Sequence, residues 1–366
     1  MTAVLSRRYG FTLVELMVSM VILVLLLLIM ASMTDATRKT WSYTNGRIEQ
    51  FRDAREAFES ITRKLSQATL NTYWDYHYPN TSGTVPPDSY IRQSELRFIS
   101  GDAALLTGTL TNTQTHGVFF QAPLGYVTDT THYSNLNALL NTWGYFVEFG
   151  NESTYRPSFI NSIPTASALH YRFRLMELME PSDSMTLYTA ETAAGGNASY
   201  ISSSWFLTPF SQIGTNRPVH PLAENIVALI VLPKLSPADE TTGGFIDASL
   251  APNYYYSSTG LDSTGAKLST DSNPSLDPVN QLPPIIQVTM VAVDETSFNR
   301  LMPAVSGTQV PAMPNLGLST LFQDATKYQA DLAQFQSNLL TSKLNFRVFT
   351  TNISLKAARW SRDQTN

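Results

Sequence analysis

A carboxylate at Glu15 stands at the head of an apolar run, Leu16 to Met33, that contains no charged residue. No other feature constrains the chain as much. A charged side chain inside a bilayer costs roughly 2.5 kcal/mol or more, so Glu15 is expected to have a partner or a role. At about 1.5 Å per residue, Phe11 to Met33 is long enough to span a hydrocarbon core of about 30 Å. A secretory signal carries an apolar core of about 7 to 15 residues with a small residue after it. Here the basic start is present as Arg7 and Arg8, but the small residue, Gly10, precedes the apolar run. A cut at Gly10 leaves the helix on the mature chain, the reverse of an ordinary signal.

The segment GFTLVELMVSMVILVLLLLIM, from Gly10 to Met30, resembles the prepilin-type N-terminus of type IV pilins and type II secretion pseudopilins. The resemblance implies that a membrane-embedded prepilin peptidase cuts after Gly10 and methylates the new N-terminal residue, Phe11. It also implies that Glu15, the fifth mature residue, pairs with the N-terminal amine of a neighbouring subunit. A plainer reading puts Glu15 at the membrane edge of a single-span anchor, reaching the headgroups. Arg7 and Arg8 favour a cytoplasmic N-terminus, and Arg38 and Lys39 beyond the span weaken that charge argument. A single-pass inner-membrane topology with a periplasmic head, and later residence in an extracytoplasmic filament, therefore rest on the resemblance.

After the span, no proline occurs from Thr34 to Tyr78, and Phe51, Ala54, Phe58, Ile61, Leu65 and Ala68 recur at steps of three and four. This spacing predicts an amphipathic helix continuing to about Leu70, with Gly46 as its weak point. The stripe suits a face packed under a sheet or a coiled-coil seam. Aromatics then cluster at Tyr73, Trp74, Tyr76, His77 and Tyr78, and Pro79 opens a Ser/Thr/Pro stretch that ends the helix. Strands are expected at Leu96 to Ile99, Val118 to Gln121, Trp143 to Phe149, Tyr171 to Leu178, Ile226 to Leu232, Ile285 to Val293 and Phe346 to Leu355. Short helices are expected at Leu136 to Asn141 and Glu295 to Leu301. The predicted class is α+β: one long N-terminal helix packed on a mainly antiparallel sheet head with large loop insertions. Four regions follow: a leader at 1–10 that is removed, a transmembrane and filament-core helix at 11–33, its amphipathic continuation at 34–78, and a pilin-like head at 79–366.

The later strands extend the resemblance. Ala223-Glu224-Asn225-Ile226-Val227, then Leu282-Pro283-Pro284-Ile285, then Thr351-Asn352-Ile353-Ser354-Leu355 occur in the order seen in J-type minor pseudopilins and W-type minor pilins. The Ser60 to Tyr76 stretch and the length are similar to the Verru_Chthon cassette protein C group. Two insertions depart from that pattern, near 234–284 and 302–345. The first holds Tyr254-Tyr255-Tyr256, either a recognition surface or a packing element. The second carries a stripe of Leu321, Ala325, Tyr328, Leu332, Phe335 and Leu339 at helical spacing, for core packing or for a partner groove.

Motifs for chemistry are sparse. Gly-Lys-Ser/Thr loops, His-Glu-x-x-His and Gly-x-Ser-x-Gly do not occur. The histidines are scattered, with His170 at a strand start and His220 between Pro218 and Pro221. With no cysteine, disulfides and thiolate chemistry are excluded. Some pseudopilins bind calcium, and Asp262, Asp271 and Asp277 supply oxygen ligands of the right kind, without EF-hand spacing. A solvated polar loop explains them too. Asn197-Ala198-Ser199 fits a glycosylation acceptor, but none is inferred. Charged residues are 14%, net charge is -5 and no basic stripe is evident, so no nucleic-acid partner is expected.

The resulting expectation is a non-enzymatic minor pilin-like subunit, with the prepilin peptidase, other pilin-like subunits, the assembly platform and the inner membrane as partners. Its filament would serve secretion or a surface pilus. The alternative is a single-span envelope enzyme or receptor that uses the pilin-like helix only as an anchor.

Overall fold

The structure is a computed structural model describing residues 12–79, 85–108, 112–133, 139–153, 169–187, 204–210, 217–238, 246–268, 276–303 and 310–360, with 157, 159, 160, 163, 212 and 305. The chain divides into two compact units, Met1–Gln50 and Phe51–Asn366. Helix α1 (Leu13–Leu65) continues through Gly46 without a break, so the cost of glycine in a helix, about 1 kcal/mol, does not end it. In the first unit, the stretch Leu13–Ser42 is long and apolar enough to cross a membrane. Leu16, Val21, Leu25 and Leu28 are all more than half exposed. The polar side chains of this stretch bond inward: the hydroxyls of Ser19 and Ser32 donate to the carbonyls of Leu16 and Ile29 at 2.9 and 2.8 Å. Those of Thr34 and Thr37 donate one turn back, to Met30 and Met33. A helix that satisfies its own hydroxyls suits an apolar solvent.

In the second unit the strands are β1 (Tyr73–His77), β2 (Ser89–Gln93), β3 (Phe98–Asp102), β4 (Thr113–Ala122), β5 (Asn141–Asn151) and β6 (Tyr171–Glu180), followed by helix α2 (Ser204–Phe210). Then come β7 (Val219–Glu224), β8 (Ile226–Lys234), β9 (Tyr256–Ser257), β10 (Ile285–Val293), α3 (Glu295–Leu301), α4 (Tyr328–Thr341) and β11 (Phe346–Ser354). They form a six-stranded sheet ordered β7-β6-β5-β4-β3-β9, a three-stranded sheet ordered β11-β10-β8 and a two-stranded sheet of β1 and β2. The pairings are antiparallel. The α+β expectation is met, and each expected strand lies in or overlaps an observed one. The expected helix at Glu295 to Leu301 is α3, whereas Leu136 to Asn141 lies partly outside the described residues and Asn141 itself opens β5.

The apolar stripe of α1 is buried at Ala54, Ala57, Phe58, Ile61 and Leu65, while Arg52–Glu56 and Arg55–Glu59 pair on its exposed side. Burying side chains such as Ile61 and Leu65 stabilises by about 1.5–3 kcal/mol each. The stripe packs under a sheet and is not a coiled-coil seam within this chain. Phe58 meets Phe349 of β11 with ring centroids 5.8 Å apart. Successive residues of a strand face opposite ways, so Thr350 turns to the other side. There the Thr289 hydroxyl lies 2.7 Å from the phenol oxygen of Tyr328 in α4 and 3.0 Å from the Thr350 hydroxyl. The three-stranded sheet is thus held between the buried end of α1 and α4.

A bulge in β4 joins this small sheet to the larger one. The register of β4 against β5 shifts between Gln114 and Val118, and Thr115 takes a φ of 58°, rare for a β-branched residue. The shift turns two polar side chains onto the outer edge of β8. Leu229 N–H donates to Thr115 Oγ1 at 3.0 Å, and Val231 N–H donates to His116 Nδ1 at 3.1 Å. Unpaired edge amides invite aggregation or remain unsatisfied when buried; here side chains take the place of another strand.

Both insertions contribute to the core. Tyr254, Tyr255 and Tyr256 are buried, and the Tyr256 hydroxyl donates to the Gln281 carbonyl at 2.8 Å. They form a packing element. In the second insertion Tyr328, Phe335 and Leu339 point inward, which makes its stripe a core face. The helix expected there starts at Tyr328; Ala325–Lys327 form a 3-10 turn before it, with Asp324 capping Thr326 N–H.

Candidate processing and assembly site

Thr12-Leu13-Val14-Glu15 follows the Ser/Thr-x-x-Glu pattern of a helix start. Thr12 stands immediately before α1, and its hydroxyl accepts the Glu15 amide at 3.3 Å. In return, Glu15 Oε2 accepts from the Thr12 amide at 3.3 Å and from its hydroxyl at 3.2 Å. Leu16 N–H to the Thr12 carbonyl, at 3.2 Å, closes the first turn. A helix start leaves backbone donors unsatisfied and carries a partial positive charge, so a carboxylate there is favourable by about 0.3–1 kcal/mol at an exposed site. Glu15 is exposed, as are the apolar side chains that follow it. The arrangement orients a carboxylate at the N-terminal end of an apolar helical surface.

Gly10 and Phe11, the expected cleavage site and new N-terminus, lie outside the described residues. The spacing of Thr12 and Glu15 is itself the sequence signal for this pair, although Glu15 alone stands out as a charge in the apolar segment.

Among the described residues, polar side chains elsewhere also hold the fold. His116 is fully buried, accepts Val231 N–H at Nδ1, and its Nε2 lies 3.2 Å from the Phe322 carbonyl. The first contact assigns the proton to Nε2, and burial pulls the imidazole down to about 4, so it is neutral. Of the singled-out histidines, His170 immediately precedes β6, and His220 is exposed on β7. A cleft of about 470 Å³ is lined by Asn112, Phe149, Asn151, Tyr171, Pro311 and Met313, with no carboxylate, histidine or lysine among its walls.

Two of the three calcium candidates, Asp262 and Asp277, lie among the described residues, and each is bonded within its own turn. Asp262 Oδ1 accepts from the amide and hydroxyl of Thr264 and from the amide of Ala266, and these bonds hold its carboxyl below the usual range. Asp277 is buried and accepts Val279 N–H at 2.8 Å. Asp271 and the Asn197-Ala198-Ser199 site lie outside the described residues. Among the described residues, no three His, Cys, Asp or Glu side chains are placed to hold a metal ion.

A family profile described as "Prokaryotic N-terminal methylation motif" matches residues 5–31. No curated protein and no solved structure matches the chain. The motif points to a type IV pilin-like or pseudopilin protein, a group that is structural rather than catalytic. It implies processing by a prepilin peptidase and association with pilin-like subunits in general. Together with the apolar helix it suggests membrane anchoring.

Proposed function

We propose that the chain is a minor pilin-like subunit, cut after Gly10, N-methylated at Phe11, and anchored in the inner membrane by α1 with its head in the periplasm. It is then assembled into a filament for secretion or for a surface pilus. The observation that carries this reading is the start of α1, where Glu15 is capped by Thr12 at the end of an apolar surface that is exposed among the described residues. In the monomer, the Thr12 amide and hydroxyl lower the cost of the carboxylate near the membrane edge. On assembly, the new amine at Phe11 of a neighbour supplies a full counter-charge, which a carboxylate in a low-dielectric setting favours strongly. The size of the head supports a minor place, because a bulky head crowds a repeating shaft. The order of the later strand segments supports a likeness to J-type and W-type subunits, and the Ser60 to Tyr76 stretch with the length supports one to the Verru_Chthon cassette protein C group.

Glu15→Val tests this reading, with the mature N-terminus determined by mass and filament partners recovered by co-purification. The expected result is a chain that still begins at N-methylated Phe11 and no longer co-purifies with partners. A start at any other residue would sink the processing assignment. Unchanged co-purification would sink the pairing role.

A further inference from the structure

The two larger sheets end in β7, β9, β8 and β11, and the first three of these edges are closed to further pairing. β9 has only two residues. β7 carries Pro221 and a register shift against β6. The outer side of β8 bonds to Thr115 and His116. β11, by contrast, is nine residues long, has no proline and keeps an unbroken register with β10. Sheets guard their edges because an open one accepts another strand. The β10–β11 ladder shows which groups are left over. At one end Leu355 N–H donates to the Pro284 carbonyl at 3.2 Å, and at the other Asp294 N–H donates to the Asn345 carbonyl at 2.9 Å. Bonded and outward residues alternate in an antiparallel pair, so the odd-numbered residues of β11 bond to β10. Val348, Thr350 and Asn352 direct their amides and carbonyls the other way, and no group among the described residues bonds to these amides. Arg347, Thr350, Asn352 and Ser354 are exposed, so the edge is open to solvent.

Charge narrows the occupant. In a chain of net charge -5, the stretch from Leu332 to Trp360 holds Lys343, Arg347, Lys356 and Arg359 and no Asp or Glu. All four are exposed. Arg347 lies on β11, its guanidinium 5.6 Å from the Phe349 ring centroid, and Lys343 and Lys356 stand just beyond its two ends. β10 has no charged residue. The elements packed on the two faces of this sheet supply no spare anion: Asp53, Glu56 and Glu59 on the buried end of α1 are matched by Arg52, Arg55 and Arg63, and Asp331, the carboxylate of α4, accepts the Phe322 amide. A strand with acidic residues therefore gains both the main-chain bonds and the ion pairs. A second copy does not. Antiparallel pairing of two β11 strands centred on Thr350 brings Lys343 of one chain to the end that carries Lys356 of the other, and like charges meet.

We propose that the outer edge of β11 takes up an extended, acid-bearing segment of a partner polypeptide as a fourth strand of the three-stranded sheet. The site is independent of the filament reading, because it uses none of the residues from Gly10 to Glu15.

The test uses the full chain in neutral detergent and a fluorescent Glu-Thr-Val-Thr-Val-Thr-Glu peptide as probe. Its comparators are the same peptide N-methylated at alternate backbone amides, in both phases, and a version with Lys in place of both Glu. The acidic peptide is expected to bind, and N-methylation in one phase to weaken it about tenfold by removing main-chain donors. Asn352→Pro, which removes only an outward N–H and places a ring on the edge, should weaken it by a similar factor. The double variant Arg347→Gln/Lys356→Gln should weaken it several-fold and flatten its salt dependence. Melting midpoints check that the variants fold; if Asn352→Pro melts early, the N-methylated peptides carry the test on the wild-type chain. No binding of the acidic peptide overturns the proposal. So does equal affinity for both N-methylated forms and the parent, which marks diffuse attraction between charges, or equal affinity for the Lys-flanked peptide. A concentration-dependent dimer in sedimentation that Asn352→Pro abolishes assigns the edge to a second copy and overturns it as well.

Discussion

Lys64 Nζ, near the C-terminal end of α1, lies 2.6 Å from Glu177 Oε1 in the six-stranded sheet. The same carboxylate oxygen accepts the Tyr145 hydroxyl at 2.7 Å, and the ammonium sits 3.9 Å from the centroid of the Trp143 ring. Burial, with the Glu177 charge beside it, pushes the Tyr145 phenol well above its ordinary value, so that it remains a donor. Phe58 holds the helix to the three-stranded sheet, and Lys64 ties its end to the six-stranded one.

Lys64→Met keeps the length of the stem but removes the charge, leaving the Glu177 carboxylate with Tyr145. Lys64 and Glu177 are 24% and 14% exposed, so water offsets part of the loss. A cost of about 1–3 kcal/mol is expected. Adding Glu177→Gln should recover part of it, since an unpaired buried charge costs more than an absent pair. Melting midpoints of the two single variants and the double variant measure this coupling. Strict additivity would show that the contact contributes nothing.

Gly144 faces the other side of the same sheet, opposite Phe119 in β4. A Cβ there would stand 2.2 Å from Phe119 Cδ1. Phe119 has little room to yield, because its ring stacks on Phe206 of α2 at 4.3 Å. Gly144→Ala is therefore expected to destabilise the head by about 1–3 kcal/mol, seen as a lower melting midpoint. The compensating variant Phe119→Leu in the Gly144→Ala background should restore part of the loss. An unchanged midpoint for Gly144→Ala would contradict this packing.

The sequence revealed this architecture unevenly, for physical reasons. Ile285 to Val293 and Glu295 to Leu301 were legible to the residue, because a β-branched run ending at a capping Asp294 carries both period and boundary. The buried stripe from Ala54 to Leu65 was legible because charges occupy its other face. The β1–β2 hairpin was not, since Tyr73, Trp74, Asp75, Tyr76 and His77 show no polar-apolar alternation and both faces of β1 are largely exposed. Tyr254 to Tyr256 were ambiguous because three consecutive tyrosines have no period, and their burial depends on distant partners such as Gln281. Thr115 and His116 were invisible, because a bulge is set by pairing between strands. At the helix start, the Thr12 to Glu15 spacing was readable as local chemistry, whereas the proposed partner amine would belong to another chain.

The response of stability to pH follows from two buried groups with opposite signs. Glu180, 3% exposed, accepts the Thr186 amide at 2.9 Å and its hydroxyl at 3.3 Å. Burial pushes its carboxyl up from 4.5 to about 7. Between those values the folded chain holds a proton that the unfolded chain has released, so stability falls as pH rises. Burial pulls His116 down from 6.5 to about 4; there the unfolded chain binds the extra proton, so stability falls as pH drops. Each slope is about 1.4 kcal/mol per pH unit. From pH 4.5 to 6.5 they oppose one another, and the wild-type melting midpoint should be nearly flat. Glu180→Gln removes the first slope, so its midpoint should fall as the pH is lowered through that window, by the equivalent of about 2–3 kcal/mol. Thermal melts at half-unit steps measure both curves. A Glu180→Gln curve parallel to wild type would show that Glu180 is ionised in the folded chain and that its burial is compensated by other contacts.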